Sequence, residues 1–298
     1  MNISYEGSLT SGIIKQLPRI ARASITEHRE LGRLVESLGI DAVISDNRFG
    51  LFSSRMPCIY VSHQLSIVMP TTLAWAQSAV ARMNTILIHR FRECWVPDFA
   101  TEENLSGDLA HNLPLPRNTY FVGPLSRFKK YRDIARQYDV IVVLSGPEPQ
   151  RTVFEHMLVE QIRTTTLKAL IVRGVTETKT TTPITDTITM VSYLTSDDLN
   201  RAILSSAVVV SRPGYSTIMD LAVLGTKAVF IPTPGQTEQE YLAARFHDRK
   251  IYYSERQSEF RLVRALDAVG DYTGMRQHPP EATNLPERVK HLLTSLLD

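Results

Sequence analysis

A chain of 298 residues with a formal net charge of +2 is too long for most single hydrophobic cores and too balanced in charge for an extended nucleic-acid footprint. Two α/β domains fit the length. The two cysteines, Cys58 and Cys94, stand in apolar surroundings, which excludes a disulfide-built scaffold and fits reduced, buried thiols of a cytosolic protein.

Residues 11–23 and 25–38 carry helical periodicity, with Pro18 bending or starting one segment and Gly39 closing the other. The first strand is expected only at Asp41–Ser45, which runs into the polar loop Asp46 to Gly50. A second, Cys58–Ser62, runs into His63 and Gln64. Both read as strands of a parallel sheet that end at a working edge. The longest apolar-rich run, residues 71–91, is broken by Gln77, Arg82, Asn84, His89 and Arg90, so it is no membrane span. It reads first as an amphipathic core helix and second as a membrane-docking face. Strands at Glu93–Val96 and Asn118–Val122 follow, then a linker near Leu125–Tyr138. A doubly wound domain normally begins with a strand, a glycine-rich turn and a helix, and none precedes Asp41. The expectation is a first lobe that lacks its opening strands, as a shortened copy or as one half of a two-chain assembly.

The second domain begins at Asp139–Leu144, followed by the loop SGPEPQR and a helix to about Ile162. Strand, small-residue loop and helix in that order aim backbone N–H groups at an anion, although the lysine of a P-loop is missing. Leu167–Val172 and Ile188–Val191 read as strands, residues 175–187 as a threonine-rich loop, and Thr195 or Ser196 as the cap of a helix. Ala207–Val210 is a buried parallel strand ended abruptly by Arg212, Pro213 and Gly214. Ser216 is expected to cap the next helix, which is apolar apart from Asp220 and stops at Gly225. That carboxylate needs a partner at the loop end of the sheet, and a pair of vicinal sugar hydroxyls is one such partner. After a strand at Ala228–Ile231, Thr237 with Glu240 fits a capping box and sets Gln236 and Gln239 at the mouth of the next helix. A last helix is expected at Glu287–Leu297, able to pack back across the domain junction. No cluster of Cys, His or acidic residues has metal-ligand spacing, and the histidines other than His63 read as structural or exposed.

The run SSAVVVSRPGYSTIMDLAVLG, with TEQEY and VGPLSR, resembles the signature of glycosyltransferases of the GT-B fold. The likeness is to the donor-binding family 28 C-terminal domain shared with the peptidoglycan lipid-intermediate N-acetylglucosaminyltransferase. It implies an α/β protein of two Rossmann-like lobes, the first incomplete at its N-terminus: 1–126 an acceptor-side lobe, 127–138 a linker, 139–285 a nucleotide-sugar lobe, and 286–298 a C-terminal helix. It also implies a hexosyltransferase that moves a hexose or N-acetylhexosamine from a UDP-sugar to an acceptor hydroxyl, with inversion and without metal or other cofactor. By the same likeness Asp220 holds the donor ribose, Gly214 and Thr217 approach the phosphates, Gln236 and Gln239 meet the donor sugar, and Arg127 stands near the donor. Ser145 and Gly146 occupy the phosphate turn, where the family often has GGS, and Ser196 reads the uracil edge. His63 faces the reacting groups from the first lobe. The family's base lies on an opening loop with no counterpart here, so His63 and Asp46 are the local substitutes. The plainer readings are a linker charge for Arg127 and a satisfied loop histidine for His63. The implied partners are the donor, a lipid-linked or glycan acceptor, and a partner chain completing the first lobe, with no nucleic acid. The implied location is cytoplasmic and peripheral at the inner membrane face. Two alternatives stand beside the transferase: a UDP-sugar binding subunit that needs a partner segment to turn over, and a UDP-sugar epimerase.

Overall fold

In the computed structural model the described residues are 9–66, 75, 77–112, 114–131, 133–275, 285–294 and 296, with side chains described from residue 22 onward. The chain divides into two compact units: one holds Ser126–His278, and the other joins Ile3–Leu125 with Pro279–Asp298.

The first unit opens with α1 (Leu9–Leu38), a single helix where two were expected. Pro18 lies inside it and does not end it, although a proline there removes one intrahelical hydrogen bond and crowds the preceding turn. Four short strands follow, β1 (Val43–Asp46), β2 (Cys58–Val61), β3 (Glu93–Val96) and β4 (Thr119–Phe121), all parallel and in spatial order 1-2-3-4. β2 and β3 are buried along their whole length, as central parallel strands must be. Both cysteines are free and buried there, and burial pushes the Cys94 thiol up to about 12. β1 is an edge, paired only with β2 among the described residues, and its Ile44 is 57% exposed.

Between β2 and β3 lies α2 (Gln77–Ile88), shorter and less buried than the core helix expected from residues 71–91. Only Asn84 and Ile88 are buried on it, while Met83 and Ile86 face solvent. The reason is visible in its pattern: polar residues interrupt each apolar turn, so no continuous stripe wide enough for a core remains. Residues 71–74 of the expected helix lie outside the described residues. The last helix, α8 (Leu285–Thr294), returns to this unit and lays Leu285, Val289 and Leu292 against Ile59, Val61, Trp95 and Val122.

The second unit holds a seven-stranded sheet. Its elements are β5 (Tyr138–Val143), α3 (Gln150–Ile162), β6 (Ala169–Val172), β7 (Thr181–Pro183), β8 (Ile188–Val191), α4 (Ser196–Leu204) and β9 (Ser206–Ser211). They continue with α5 (Tyr215–Leu224), β10 (Lys227–Phe230), α6 (Thr237–Asp248), β11 (Tyr253–Ser254) and α7 (Leu262–Ala268). The spatial order is 11-10-9-5-6-8-7, parallel throughout except for β7, an antiparallel edge in the stretch expected to be loop. Val140, Val142, Val208 and Val210 bury one face of the central strands against Phe154 and Leu158 of α3. β5 starts the sheet in the middle. The chain then winds one way through β6 and β8, and β9 returns to the other side of β5 to begin the second half. The topological switch therefore falls between β5 and β9, and a crevice opens there outside the carboxyl ends of the strands.

Two expected caps are corrected. Gly214, extended at φ −70° and ψ 143°, is the N-cap of α5, so Ser216 already lies inside the first turn. Thr237 is likewise the first helical residue of α6, after Gln236, and no reciprocal box forms. Glu240 instead accepts from the Gly235 N–H at 3.0 Å. Thr195 does cap α4, accepting from the Asp198 N–H, and Gly225 ends α5 in the left-handed region at φ 67°.

Candidate functional site

Three loops meet the carboxyl edge of the second unit's sheet around the switch point: residues 144–149 after β5, 212–214 after β9, and 231–236 after β10. Ser145 and Gly146 lead the first and are exposed. Gly146 has φ 101°, a conformation a side chain rarely adopts, and nothing lies within 4 Å of where its Cβ would be. Gly214, by contrast, has ordinary dihedrals, so only close approach of a ligand or backbone would demand glycine there. A Cβ on it would stand 3.9 Å from the hydroxyl of Thr217, which faces the same opening from the first turn of α5.

Asp220 lies one turn further along α5 and is half-buried. The Ser126 hydroxyl donates to its Oδ1 at 2.5 Å, and among the described residues Oδ2 has no hydrogen-bond partner. Burial raises the Asp220 carboxyl above its ordinary value, while the Ser126 hydrogen bond and the charge of the adjacent exposed Arg127 pull the other way. The segment after residue 125 is stitched to this unit beyond that contact. Asn200 exchanges hydrogen bonds with the backbone of Lys129 at 2.8 and 3.3 Å, and the Tyr131 hydroxyl donates to Asp197 at 2.6 Å. The expected linker is thus, up to Tyr131, a strap that carries Ser126 and Arg127 to the carboxylate.

On the β10 side Gln239 is buried, and its Oε1 accepts from the Thr233 N–H at 2.8 Å. Gln236 closes the same loop through its N–H to the Thr233 carbonyl at 3.0 Å. A cavity of about 850 Å³ borders this loop at Pro232 and Pro234 and runs along His247 and Glu255. Neither Asp220 nor Gly214 lines it.

The structure thus brings Asp220 and Arg127 together, sets Gly214 and Thr217 at the adjacent helix start, and places Ser145 and Gly146 on the neighbouring strand end. Ser196 opens α4 after β8, two strands from β5, without a hydrogen bond to the others. In the first unit Asp46 ends β1 opposite Val61 of β2, and His63 follows two residues later, so both stand at the carboxyl edge of that sheet. No group of three or more His, Cys, Asp or Glu side chains among the described residues is placed to hold a metal ion.

Two features escaped the sequence. Ser126 has no local signal at all, since its partner is 94 residues away. Asp98 and His111 form a buried pair at 3.2 Å in the first unit; Asp98 also accepts from the N–H groups of Phe99, Leu105 and Ser106, which pins the loop after β3. Burial alone would raise the Asp98 carboxyl, but these bonds hold it below its ordinary value.

Residues 140–284 match the family described as the glycosyltransferase family 28 C-terminal domain. By fold the chain is similar to the glycosyltransferase of kitacinnamycin, with a TM-score of 0.59, 15% identity, and coverage of 95% of this chain and 78% of that one. It is similar also to MurG of Acinetobacter baumannii, at TM-score 0.51, 14% identity, and coverage of 93% and 80%. A third is UGT2 of Phytolacca americana, solved with UDP-2-fluoro-glucose and pterostilbene, at TM-score 0.50, 14% identity, and coverage of 93% and 74%. No curated protein matches by sequence. The fold is that of the GT-B glycosyltransferases, and the domain match supports a glycosyltransferase. The matched stretch lies in the second unit up to His278.

Proposed function

We propose that the chain transfers a hexose or N-acetylhexosamine from a UDP-sugar to an acceptor hydroxyl, with inversion at the anomeric carbon and without a metal ion. The observation that carries this reading is Asp220: a half-buried carboxylate with one free oxygen, set one turn inside a helix whose N-terminus opens on the switch-point crevice. Such an oxygen suits the two hydroxyls of a ribose, and the N–H groups at the start of α5 suit the diphosphate that follows it. Ser145 and Gly146 flank the same anion from the β5 loop, Arg127 adds an exposed positive charge, and Gln236 and Gln239 offer amides to the sugar. Ser196 is assigned the uracil edge. The acceptor hydroxyl, on a lipid-linked or glycan substrate at the inner membrane face, loses its proton to His63 or Asp46. The oxygen then bonds to C1 as the C1–diphosphate bond breaks, and UDP leaves with the electron pair onto the amide-rich loops.

A second reading has one observation in its favour. β1 offers an unpaired edge, among the described residues, with Ile44 exposed on it, and such an edge invites another strand. Here the chain binds UDP-sugar and turns it over only when a partner segment pairs with β1. UDP release from UDP-glucose or UDP-N-acetylglucosamine, followed with purified chain across added acceptors, separates the two. Turnover by the chain alone supports the transferase; donor binding without turnover supports the subunit.

A further inference from the structure

The site as described leaves one charge without a counterpart. Arg212 follows β9 directly, precedes the loop that opens α5, and is 1% exposed, among the largest fully buried side chains. Its Nη1 donates to the carbonyls of Ile231 and Pro232 at 2.9 and 3.0 Å. Its Nη2 donates to the Gln150 carbonyl at 3.3 Å and to Oε1 of Gln257 at 2.6 Å, and the guanidinium lies 4.1 Å over the Phe154 ring. Every one of these partners is neutral. No carboxylate among the described residues bears on it, and burial alone lowers it to about 10, so it is a cation at neutral pH. Glu155, next to Phe154 on α3, is already shared by Arg151 and Arg173.

A buried charge with only dipoles around it works against folding, because desolvation is not repaid by an opposite charge. The arginine nonetheless sits where three ligand-facing segments begin: the end of β9, the end of β10 and, through Gln150, the first residue of α3. Its own Nε is buried without a partner, and so are the Ser211 hydroxyl beside it and Oε1 of Gln150. A pocket of unpaired polar atoms and one uncompensated cation is an incomplete site rather than a finished core.

We propose that Arg212 is a positioning residue for the donor, and that the diphosphate supplies the counter-charge the fold withholds from it. The inference rests on the UDP-sugar reading above. Arg212 holds the β9, β10 and α3 loop ends at one spacing through its four hydrogen bonds, and its field favours a doubly charged ligand group over a neutral one at those loops.

The experiment uses the full chain with two probes, UDP by calorimetry and uridine by ligand-observed NMR. Arg212→Met removes the charge. Arg212→Lys keeps the charge with fewer donors, and it serves alone if the methionine variant fails to fold. Arg212→Met is expected to weaken UDP at least tenfold and leave uridine unchanged, while Arg212→Lys keeps most UDP affinity. A merely structural arginine gives the opposite pattern, with both variants losing UDP and uridine alike; that result, or unchanged UDP affinity in Arg212→Met, overturns the proposal. Asp220→Ala distinguishes this from failure of the donor reading, since a ribose ligand lost at Asp220 weakens UDP and uridine together. A wild-type chain that binds neither probe, or binds UDP no better than uridine, overturns both.

Discussion

Asp220 is the residue on which the donor reading turns, and its environment predicts an unusual separation of stability from binding. Because burial raises its folded pKa, the ionised form is the less favoured one in the folded chain. Its charge therefore costs stability above that pKa, and the cost disappears as pH falls below the unfolded value. Asp220→Asn keeps an acceptor for the Ser126 hydroxyl and is expected to leave the melting temperature equal or slightly higher in thermal unfolding. UDP affinity should nonetheless fall about tenfold, the ~1.4 kcal/mol equivalent to one lost charged hydrogen bond. In the wild type the same sign makes UDP affinity decline on acidification at a higher pH than an ordinary aspartate would give, which a calorimetric pH series measures. The sequence flagged Asp220 because a lone acid in an apolar helix breaks the amphipathic pattern. Arg212 read only as the residue that stops a strand, since burial of a cation leaves no trace in local pattern.

Among the elements, α8 shows how far a helical pattern goes. Leu285, Val289 and Leu292 fall at helical spacing, so an apolar stripe was legible, but its destination was not. That destination depends on a pair 195 residues apart, Arg288 and Glu93, which are joined by two hydrogen bonds. The Trp95 indole also donates to Glu93 at 2.6 Å, and Arg288 lies 3.7 Å over the Tyr120 ring. Removing one partner of a mostly buried ion pair leaves the other unpaired, so Arg288→Ala is expected to destabilise the first unit by roughly 2–4 kcal/mol in urea unfolding. Burial alone would raise the Glu93 carboxyl, but the bonds from Arg288 and Trp95 hold it below its ordinary 4.5. Its stabilisation is thus complete above about pH 4.5, the ordinary value, and is lost as pH falls through the depressed one, so acid unfolding of Arg288→Ala should lack that step. Thr195→Ala, which deletes the one capping side chain seen on α4, should cost about 1 kcal/mol. Strands of buried β-branched residues, β5 and β9 above all, were readable because central parallel strands admit little else. β7 was not, because its residues Thr181–Pro183 are all exposed and carry no alternation.

At the scale of the whole chain, the order of strands and helices after Tyr138 made a doubly wound unit legible, and the structure adds the switch between β5 and β9. The strap after residue 125 could not be read as such, because Ser126, Lys129 and Tyr131 find partners on α5 and α4 that only the fold brings near. No described helix is long and apolar enough to cross a membrane. The central claim is that a uridine diphosphate lies across the carboxyl edge of this unit, and hydrogen exchange with and without UDP tests it most directly. Slowed exchange confined to residues 126–127, 144–150, 195–197, 212–220 and 231–239 is the predicted result; no slowing in these segments at saturating UDP, or protection on other loops instead, contradicts it.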